Sequence, residues 1–249
     1  MPAQRLEPGI VIDGFTLEEK IHQGNMSTLW RVLDRDGRAS RVMKIPMLRD
    51  FDDPAAIVGF EVEQMILPTL SGVHVPRYIA SGDFSVQPYI AMELIQGESL
   101  RPKLDDAPLP IAEVCSIGAR IAAALHDIHN QHVIHLDLKP SNVMFRDTGE
   151  AVLIDFGLSR HDRLPDLLAE EFRLPMGTGP YIAPEQILRI RNEPRSDIFA
   201  LGVVLYHLAT GVRPFGNPTT VRGLRRRLYR DPPPPMSIRP DCPRWMQEI

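Results

Sequence analysis

Cysteine is scarce in this sequence: Cys115 and Cys242 are the only two among 249 residues. Two cysteines so far apart give neither a disulfide framework nor a zinc site by themselves, so a reducing compartment is expected. Long apolar runs are also missing, and residues 1–7 contain no apolar segment of the kind found in secretory signals. We therefore expect a cytoplasmic protein, with no membrane contact from this segment.

No charge of one sign dominates. Lys and Arg total 28 while Asp and Glu total 32, which gives a formal net charge of −4. This balance does not favour nucleic acid as a partner. Internal repeats are missing as well, so a repeat architecture is not expected. The sequence does contain 43% hydrophobic residues, which is enough for one large domain or two modest lobes.

Short apolar or β-branched runs dominate the first third of the chain and predict strands. These strands are expected at residues 15–21, 27–33, 38–45, 78–84 and 88–94. Between the third and the fourth strand, Asp53 is a candidate helix cap, Pro54 suits a first helical position, and Pro68 marks the helix end. The pattern indicates a sheet with one accompanying helix.

The pattern changes after Gly97, where helical spacing replaces the short runs. Residues 111–130 predict a long amphipathic helix. Residues 198–209 predict a second helix that is apolar on nearly all sides and therefore buried, with Gly211 able to cap its end. Strands first and helices later indicate an α+β fold with two lobes. The expected lobes are residues 10–92 and 99–249, joined by residues 93–98.

Three short motifs in the second half of the chain indicate chemistry. They are H-L-D-L-K-P-S-N at residues 135–142, D-F-G at residues 155–157 and A-P-E at residues 183–185. In phosphoryl transfer, one carboxylate must face the acceptor hydroxyl, a second carboxylate and an amide oxygen must hold magnesium, and a lysine must steady the phosphates. The candidates for these roles, in that order, are Asp137, Asp155, Asn142 and Lys44.

Together with R-V-M-K at residues 41–44 and S-D-I-F-A-L-G at residues 196–202, these motifs resemble the eukaryotic-type Ser/Thr protein kinases, including their bacterial members. The resemblance covers nearly the whole chain. It implies a two-lobed protein-kinase-like fold, with a small antiparallel β-sheet and one main helix in the first lobe and a larger, mainly helical second lobe. It also implies one protein kinase domain over residues 1–249 whose last helices are missing, so a further domain is an option after Ile249.

The resemblance also implies ligands. The protein would transfer the γ-phosphoryl group of ATP to Ser or Thr of an unidentified protein substrate, with Mg2+, or alternatively Mn2+, held by Asn142 and Asp155. The residues implied to contact ATP are Ile21, His22, Gly24, Ser27, Leu29, Val42, Lys44, Met92, Glu93, Ile95 and Met144. Asp197 would tie down the loop that contains Asp137.

Further roles follow from the same resemblance. Lys44 would pair with Glu63 on the predicted first helix, with Glu61 as the fallback partner. Lys139 is counted with the catalytic residues, and its position two residues after the aspartate is typical of the Ser/Thr class. Thr178 would hydrogen-bond near that aspartate and shape the acceptor pocket.

The loop expected to cover the phosphates departs from the family pattern. The family has G-x-G-x-x-G, whereas residues 22–27 read H-Q-G-N-M-S and keep only Gly24. Glycine lets backbone amides approach phosphate closely, so we expect weaker binding of ATP. His22 is the larger of the changes, whereas Ser27 is small.

Leu136 replaces the arginine that, in family members, pairs with a phosphate on the activation segment. Between the D-F-G and A-P-E motifs the hydroxyl residues are Ser159, Thr178 and Tyr181, and Glu170 and Glu171 already supply negative charge there. These features predict a kinase that is not switched on by phosphorylation of its activation segment.

Other readings remain beside the leading one. A pseudokinase scaffold or regulatory nucleotide-binding module would explain the poor glycine loop, and the lack of a clear arginine partner for Glu185 fits a shortened domain. A small-molecule kinase of the same fold is disfavoured by the A-P-E segment. His126, His129 and His132 are expected to be exposed or to cap a helix. The basic run at residues 221–230 is expected to be a solvated helix face, with docking of an acidic partner as the alternative.

Overall fold

The computed structural model of the chain describes residues 6–24, 26–34, 36–47, 54–171 and 174–247. Its strands are β1 (Val11–Ile12), β2 (Phe15–Gln23), β3 (Ser27–Leu33), β4 (Ser40–Pro46), β5 (Tyr78–Gly82), β6 (Tyr89–Glu93), β7 (Gly97–Ser99), β8 (Val133–Ile134), β9 (Val143–Arg146), β10 (Ala151–Leu153) and β11 (Arg160–His161). Its α-helices are α1 (Pro54–Ile66), α2 (Ile111–Asn130), α3 (Leu167–Glu171), α4 (Pro184–Ile187), α5 (Arg195–Thr210), α6 (Val221–Arg225), α7 (Pro235–Ile238) and α8 (Arg244–Gln247).

The first lobe is an antiparallel sheet in the order β1-β2-β3-β4-β6-β5, and α1 contacts its strand β4. Alternate residues of a strand share one face, and Trp30 and Val32 of β3 accordingly meet Met43 and Ile45 of β4 in one buried cluster. All five predicted strands are confirmed, with small shifts at their ends. The predicted helix cap Asp53 lies outside the described residues.

The second lobe is organised around α2 and α5, which pack against each other. The predicted bounds of α2 are confirmed, and its apolar stripe is buried. Helix α5 begins at Arg195, three residues before the predicted start, and ends at Thr210. Gly211 follows as its cap, with the left-handed φ of 78° that favours glycine. Its burial is less uniform than predicted, because Ile198 is 49% exposed.

Two small ladders connect the motif segments of the second lobe. Strands β7, β9 and β10 form one sheet, while β8 pairs with β11 so that Ile134 lies opposite Arg160. The molecule is therefore a mixed α+β fold with a sheet-rich first lobe and a helical second lobe, as predicted. None of the helices within the described residues is both long enough and apolar enough to cross a membrane.

Candidate active site

Asp137 lies in the loop between β8 and β9 and is held at both oxygens of its carboxylate. Lys139 Nζ donates to Asp137 Oδ2 at 2.6 Å and to Thr178 Oγ1 at 3.1 Å. The backbone nitrogen and the hydroxyl of Thr178 donate to Asp137 Oδ1 at 2.9 and 2.6 Å. The three residues that the sequence assigned to the acceptor side therefore form one hydrogen-bonded cluster.

Asn142, at the end of the 3-10 helix Pro140–Asn142, joins this cluster from the other side. Its Nδ2 donates to the Asp137 carbonyl oxygen at 3.0 Å and to Asp137 Oδ2 at 3.3 Å. Because these bonds fix the amide nitrogen, the amide oxygen is directed to the opposite side of the group. The Ile154 nitrogen donates to the Asn142 carbonyl at 3.0 Å and so fixes Asn142 to the strand that leads into Asp155.

Lys44 of β4 lies between two carboxylates. Its Nζ donates to Glu63 Oε2 and, at 2.8 Å, to Asp155 Oδ1. Glu63 is 1% exposed and also accepts a hydrogen bond from the Phe156 nitrogen at 3.4 Å. Helix α1, strand β4 and the D-F-G segment thus meet at one ammonium group, and its partner on α1 is Glu63 and not the fallback Glu61.

The short distances among Lys44, Glu63 and Asp155 determine the protonation of Lys44 and Asp155. The Lys44 ammonium, more than any other group, lowers the pKa of Asp155 to about 2. Burial alone would lower the pKa of Lys44, but the Glu63 and Asp155 carboxylates outweigh burial and raise it above its ordinary value. Asp155 is therefore ionised and Lys44 protonated at neutral pH.

Asp197, in the first turn of α5, orients the loop that contains Asp137. Its Oδ1 accepts from the Leu136 nitrogen and its Oδ2 from the His135 nitrogen, both at 2.8 Å. His129 Nε2 lies 2.8 Å from Asp197 Oδ2. Of the two expectations for His129, exposure was wrong, since it is largely buried against this carboxylate, whereas it does stand in the last turn of α2.

His135 packs into the same loop and is completely buried. Its ring centroid is 5.2 Å from that of Phe156. Its Nε2 lies 3.1 Å from the Ile154 carbonyl oxygen, while its Nδ1 lies 3.3 Å from the Asp137 nitrogen. These contacts fit a neutral imidazole that donates through Nε2 and accepts through Nδ1, so His135 braces the D-F-G segment against Asp137.

Leu136 has a buried side chain and a backbone φ of 61°. A left-handed conformation is unfavourable for leucine, so the surroundings must hold it in place. Gln186 does so from α4: its Nε2 donates to the Leu136 carbonyl at 2.8 Å, and its Oε1 accepts from the Ala183 nitrogen at 2.9 Å. Sequence reasoning missed Gln186, which adjoins the A-P-E motif but belongs to none of the quoted patterns.

The predicted nucleotide contacts lie on β2, β3, β4 and β6 of the first lobe, in the turn between β2 and β3, just after β6, and on β9 of the second lobe. Strand β4 pairs with β3 so that Lys44 lies opposite Leu29, and with β6 so that Val42 lies opposite Met92. The others are Ile21 and His22 in β2, Gly24 in the turn, Ser27 in β3, Glu93 in β6, Ile95 just after β6, and Met144 in β9. Their contacts with ATP stay a prediction.

The turn between β2 and β3 is closed by its own backbone. The Gly24 nitrogen donates to the Ser27 carbonyl at 2.9 Å, so this amide is already engaged. A Cβ placed on Gly24 would meet Ser27 O at 3.5 Å and His22 Nε2 at 3.7 Å, which are ordinary contacts. The fold therefore does not demand glycine at this position.

Glu93 has a second role that the sequence did not indicate. Its carboxylate accepts from Arg146 Nη1 at 2.5 Å and from Arg146 Nη2 at 3.0 Å. The hydrogen bond with Arg146 is the main cause that lowers the pKa of Glu93. A two-point ion pair therefore connects the end of β6 to β9 of the second lobe.

Arg227 corrects the expectation that the whole basic run at residues 221–230 is a solvated face. It is 7% exposed and lies in the 3-10 helix Arg226–Leu228 that continues α6. Its guanidinium donates to the carbonyl of Gly179 at 2.7 Å and to that of Ile182, while Phe215 lies beneath it at 4.8 Å. Burial lowers the pKa of Arg227 to about 10. The guanidinium therefore holds residues 179–182, which directly follow Thr178, through their carbonyl oxygens.

Replacing Arg227 with Met is expected to loosen that segment. Methionine keeps the length of the side chain but leaves buried carbonyls without a donor, a loss of about 1–3 kcal/mol. Urea unfolding should show this loss, and KM for a peptide substrate should rise more than KM for ATP. Arg226→Met is the matched control, because Arg226 directly precedes Arg227 but is exposed. Equal stability and equal KM in both variants would contradict the assigned role.

The carboxylate of Asp155 and the amide oxygen of Asn142 are ligands that suit magnesium, but these two residues alone do not complete a metal site. In the described part of the chain, no group of three or more His, Cys, Asp or Glu side chains could hold a metal ion. A hard cation at Asn142 and Asp155 would therefore need further oxygen ligands, such as those of a phosphate group.

A comparison with protein families identifies this arrangement. The model described as "Protein kinase domain" matches residues 15–242. The chain belongs to this family. Within the protein kinases, the resemblance to eukaryotic-type Ser/Thr members from bacteria is confirmed by curated relatives.

Three of these kinases illustrate the similarity. Serine/threonine-protein kinase PknL of Mycobacterium tuberculosis is 28% identical over 245 residues, which is 98% of this chain and 61% of the relative. Probable serine/threonine-protein kinase PknB of Lactococcus lactis is 28% identical over 243 residues, 96% of this chain and 38% of the relative. DNA damage-responsive serine/threonine-protein kinase RqkA of Deinococcus radiodurans is 30% identical over 249 residues, 96% of this chain and 36% of the relative. The chain thus spans between about a third and three fifths of these relatives' lengths.

Proposed function

We propose that the chain transfers the γ-phosphoryl group of ATP to Ser or Thr hydroxyls of a protein substrate. The observation that carries this proposal is the cluster around Asp137, whose carboxylate is held by Lys139 and Thr178. A carboxylate fixed in this way is ready to accept the proton of an incoming hydroxyl. The Thr178 hydroxyl lies beside this carboxylate. We expect the aliphatic hydroxyl of the substrate to approach the same carboxylate.

In the proposed reaction, Asp137 orients the acceptor hydroxyl and receives its proton. The acceptor oxygen forms the new bond to the γ-phosphorus as the bond from that phosphorus to the bridging oxygen breaks, which leaves ADP. Lys139 offsets the charge near the transferred group, and Lys44, held by Glu63, steadies the other phosphates. The preformed contacts support this assignment because little reorganisation is needed.

Magnesium fits the residues present. Asp155 is ionised, its side chain is 43% exposed, and one of its oxygens is held by Lys44. Asn142 is oriented by the bonds of its amide nitrogen to Asp137. Bound at these two oxygen donors, Mg2+, or alternatively Mn2+, would neutralise charge on the phosphates.

The proposal includes activity without a phosphate on the activation segment. Ser159 is 2% exposed and donates to the His135 carbonyl at 3.0 Å, while the Thr178 hydroxyl is bonded to Asp137. Tyr181 is buried as well. Each hydroxyl of the segment is thus engaged or buried within the fold, and the side chain of Glu171, expected to add charge there, lies outside the described residues.

A nucleotide-binding scaffold with little transfer is the second candidate. The engaged Gly24 amide favours it, because that N–H is less available to phosphate oxygens. The intact triad of Lys44, Glu63 and Asp155 favours the enzyme. An enzyme with a high KM for ATP and an ordinary kcat would be consistent with both observations.

One experiment separates these candidates. The chain is incubated with labelled ATP, Mg2+ and a generic protein substrate, and the phosphorylated amino acids are identified. We expect phosphoserine or phosphothreonine with the unmodified chain and almost none with Asp137→Asn or Lys44→Met. Transfer that survives both substitutions would refute the mechanism, and nucleotide binding without transfer in any form would establish the scaffold.

A further inference from the structure

A carboxylate in the activation segment occupies an ionic site made by two arginines. Asp166 lies just before α3 and is partly buried, with 17% of its side chain exposed. Arg191 Nε donates to both of its oxygens, at 3.1 Å to Oδ1 and at 3.0 Å to Oδ2. Arg160 Nε approaches Oδ2 at 3.5 Å. Since the Arg191 side chain is only 10% exposed, this pair is not an ordinary surface salt bridge.

Arg191 connects this carboxylate to the catalytic loop. Its Nη2 donates to the Leu158 carbonyl at 3.1 Å and lies 3.4 Å from the Ser159 carbonyl, directly after the D-F-G motif. The Ser159 hydroxyl in turn donates to the carbonyl of His135, two residues before Asp137. A continuous set of contacts thus runs from Asp166 to the loop that orients the acceptor.

Asp166 also connects to the first lobe through α3. Its carbonyl accepts from the Ala169 nitrogen at 3.1 Å, and its Oδ1 lies 3.3 Å from the same nitrogen, which fixes the first turn of the helix. Leu168 is completely buried, and α3 packs against α1, the helix that supplies Glu63. Asp166 therefore stands between α3, which packs against the first lobe, and Arg191, which contacts the residues that follow the D-F-G motif.

We propose that Asp166, Arg160 and Arg191 form a permanent ionic latch that orders the activation segment in place of a phosphorylated residue. The inference rests on the proposed function, and it names the group that makes phosphorylation unnecessary. Leu136 stands where the family has an arginine beside Asp137. The cation comes instead from Arg191, which lies between α4 and α5. Arg191 Nε donates to both carboxylate oxygens while its Nη2 donates to a backbone carbonyl, and this charge-assisted arrangement needs no kinase to create it. Asp166 is a positioning residue, since its contacts lie within the protein and not with substrate.

The test compares Asp166→Asn, Arg191→Gln and the double variant with the unmodified chain, each treated with phosphatase. Breaking this ion pair is expected to displace the loop around Asp137 and so lower kcat about tenfold in each single variant, while KM for ATP changes little. Because the two groups act through one contact, kcat of the double variant should be no lower than that of the worse single variant. Asp166→Glu should restore part of kcat, because it keeps the charge.

The matched control is Asp162→Asn, an acid of the same segment that is 53% exposed and contacts His132 at 2.9 Å. Hydrogen exchange over residues 157–171 provides a readout that does not depend on transfer. We expect faster exchange there in the three latch variants and unchanged exchange in the control.

The outcomes are distinct. Unchanged kcat and unchanged exchange in Asp166→Asn would overturn the latch, and so would losses that multiply in the double variant. Loss of kcat when phosphatase is applied to the unmodified chain would also overturn it. If the unmodified chain transfers no phosphate at all, the proposed function fails, and exchange alone still decides whether Asp166 and Arg191 order the segment.

Discussion

Asp137→Asn is expected to reduce kcat about 10³-fold, within the range that removal of a general base produces. Asparagine has almost the same shape, so Thr178 can still donate to its amide oxygen. Its amide nitrogen would then face Lys139 Nζ, which now lies 2.6 Å from a carboxylate oxygen. Two donors cannot share that contact, so the substitution removes both the proton acceptor and the partner of Lys139.

Initial rates with labelled ATP and a peptide substrate measure this effect. KM for ATP should stay within about threefold, because interactions made only in the transition state affect kcat. Asp147→Asn is the control: it makes the same chemical change at an exposed acid in the turn between β9 and β10. A variant that keeps a tenth or more of the original kcat would show that Asp137 is not the base.

The secondary structure was predictable because it depends on local pattern. Short apolar or β-branched runs predicted β2 to β6 with small shifts at their ends, and helical spacing predicted both end residues of α2. The motif residues were predictable for another reason, since Lys44, Asp137, Asn142 and Asp155 are residue types that one reaction requires together. Their mutual contacts in the structure agree with that grouping, although their roles toward ATP and substrate stay predictions.

The supporting residues were not predictable, because their partners are distant in sequence and are often backbone atoms. Arg227 reads as one arginine among several, yet its partners are carbonyl oxygens of residues 179 and 182. Arg191 and Asp166 lack a motif that joins them. His129 shares a helix end with two other histidines, and only the placement of α5 decides that it meets Asp197. In each case tertiary packing creates the contact, so periodicity and motif carry no sign of it.

Glu185 has a partner that the sequence did not indicate. Sequence reasoning found no clear arginine to pair with it. In the structure, Glu185 Oε1 accepts a hydrogen bond from Ser196 Oγ at 2.7 Å. Ser196 is buried next to Asp197 at the start of α5. The A-P-E segment is thus connected directly to the helix that orients the catalytic loop.

Asp197→Asn is expected to cost about 2–4 kcal/mol of unfolding free energy, because one buried N–H loses its acceptor and a charge-assisted bond becomes neutral. Asp197 is 1% exposed, and its two oxygens accept from the nitrogens of His135 and Leu136. An amide offers one oxygen for these two donors, so its NH2 group must face the other. The left-handed backbone of Leu136 should then relax and displace Asp137, so kcat should fall about tenfold or more.

Urea unfolding and initial rates on the same preparations measure the two effects. Glu193→Gln is the control, because Glu193 stands near the start of the same helix but pairs with Arg195, whose side chain is 83% exposed. Surface pairs of this kind contribute less than about 1 kcal/mol. If Asp197→Asn lost stability but kept kcat, the carboxylate would support the fold without orienting the loop. The structure predicts that both fall together, because the same two N–H bonds fix His135 and Leu136, directly before Asp137.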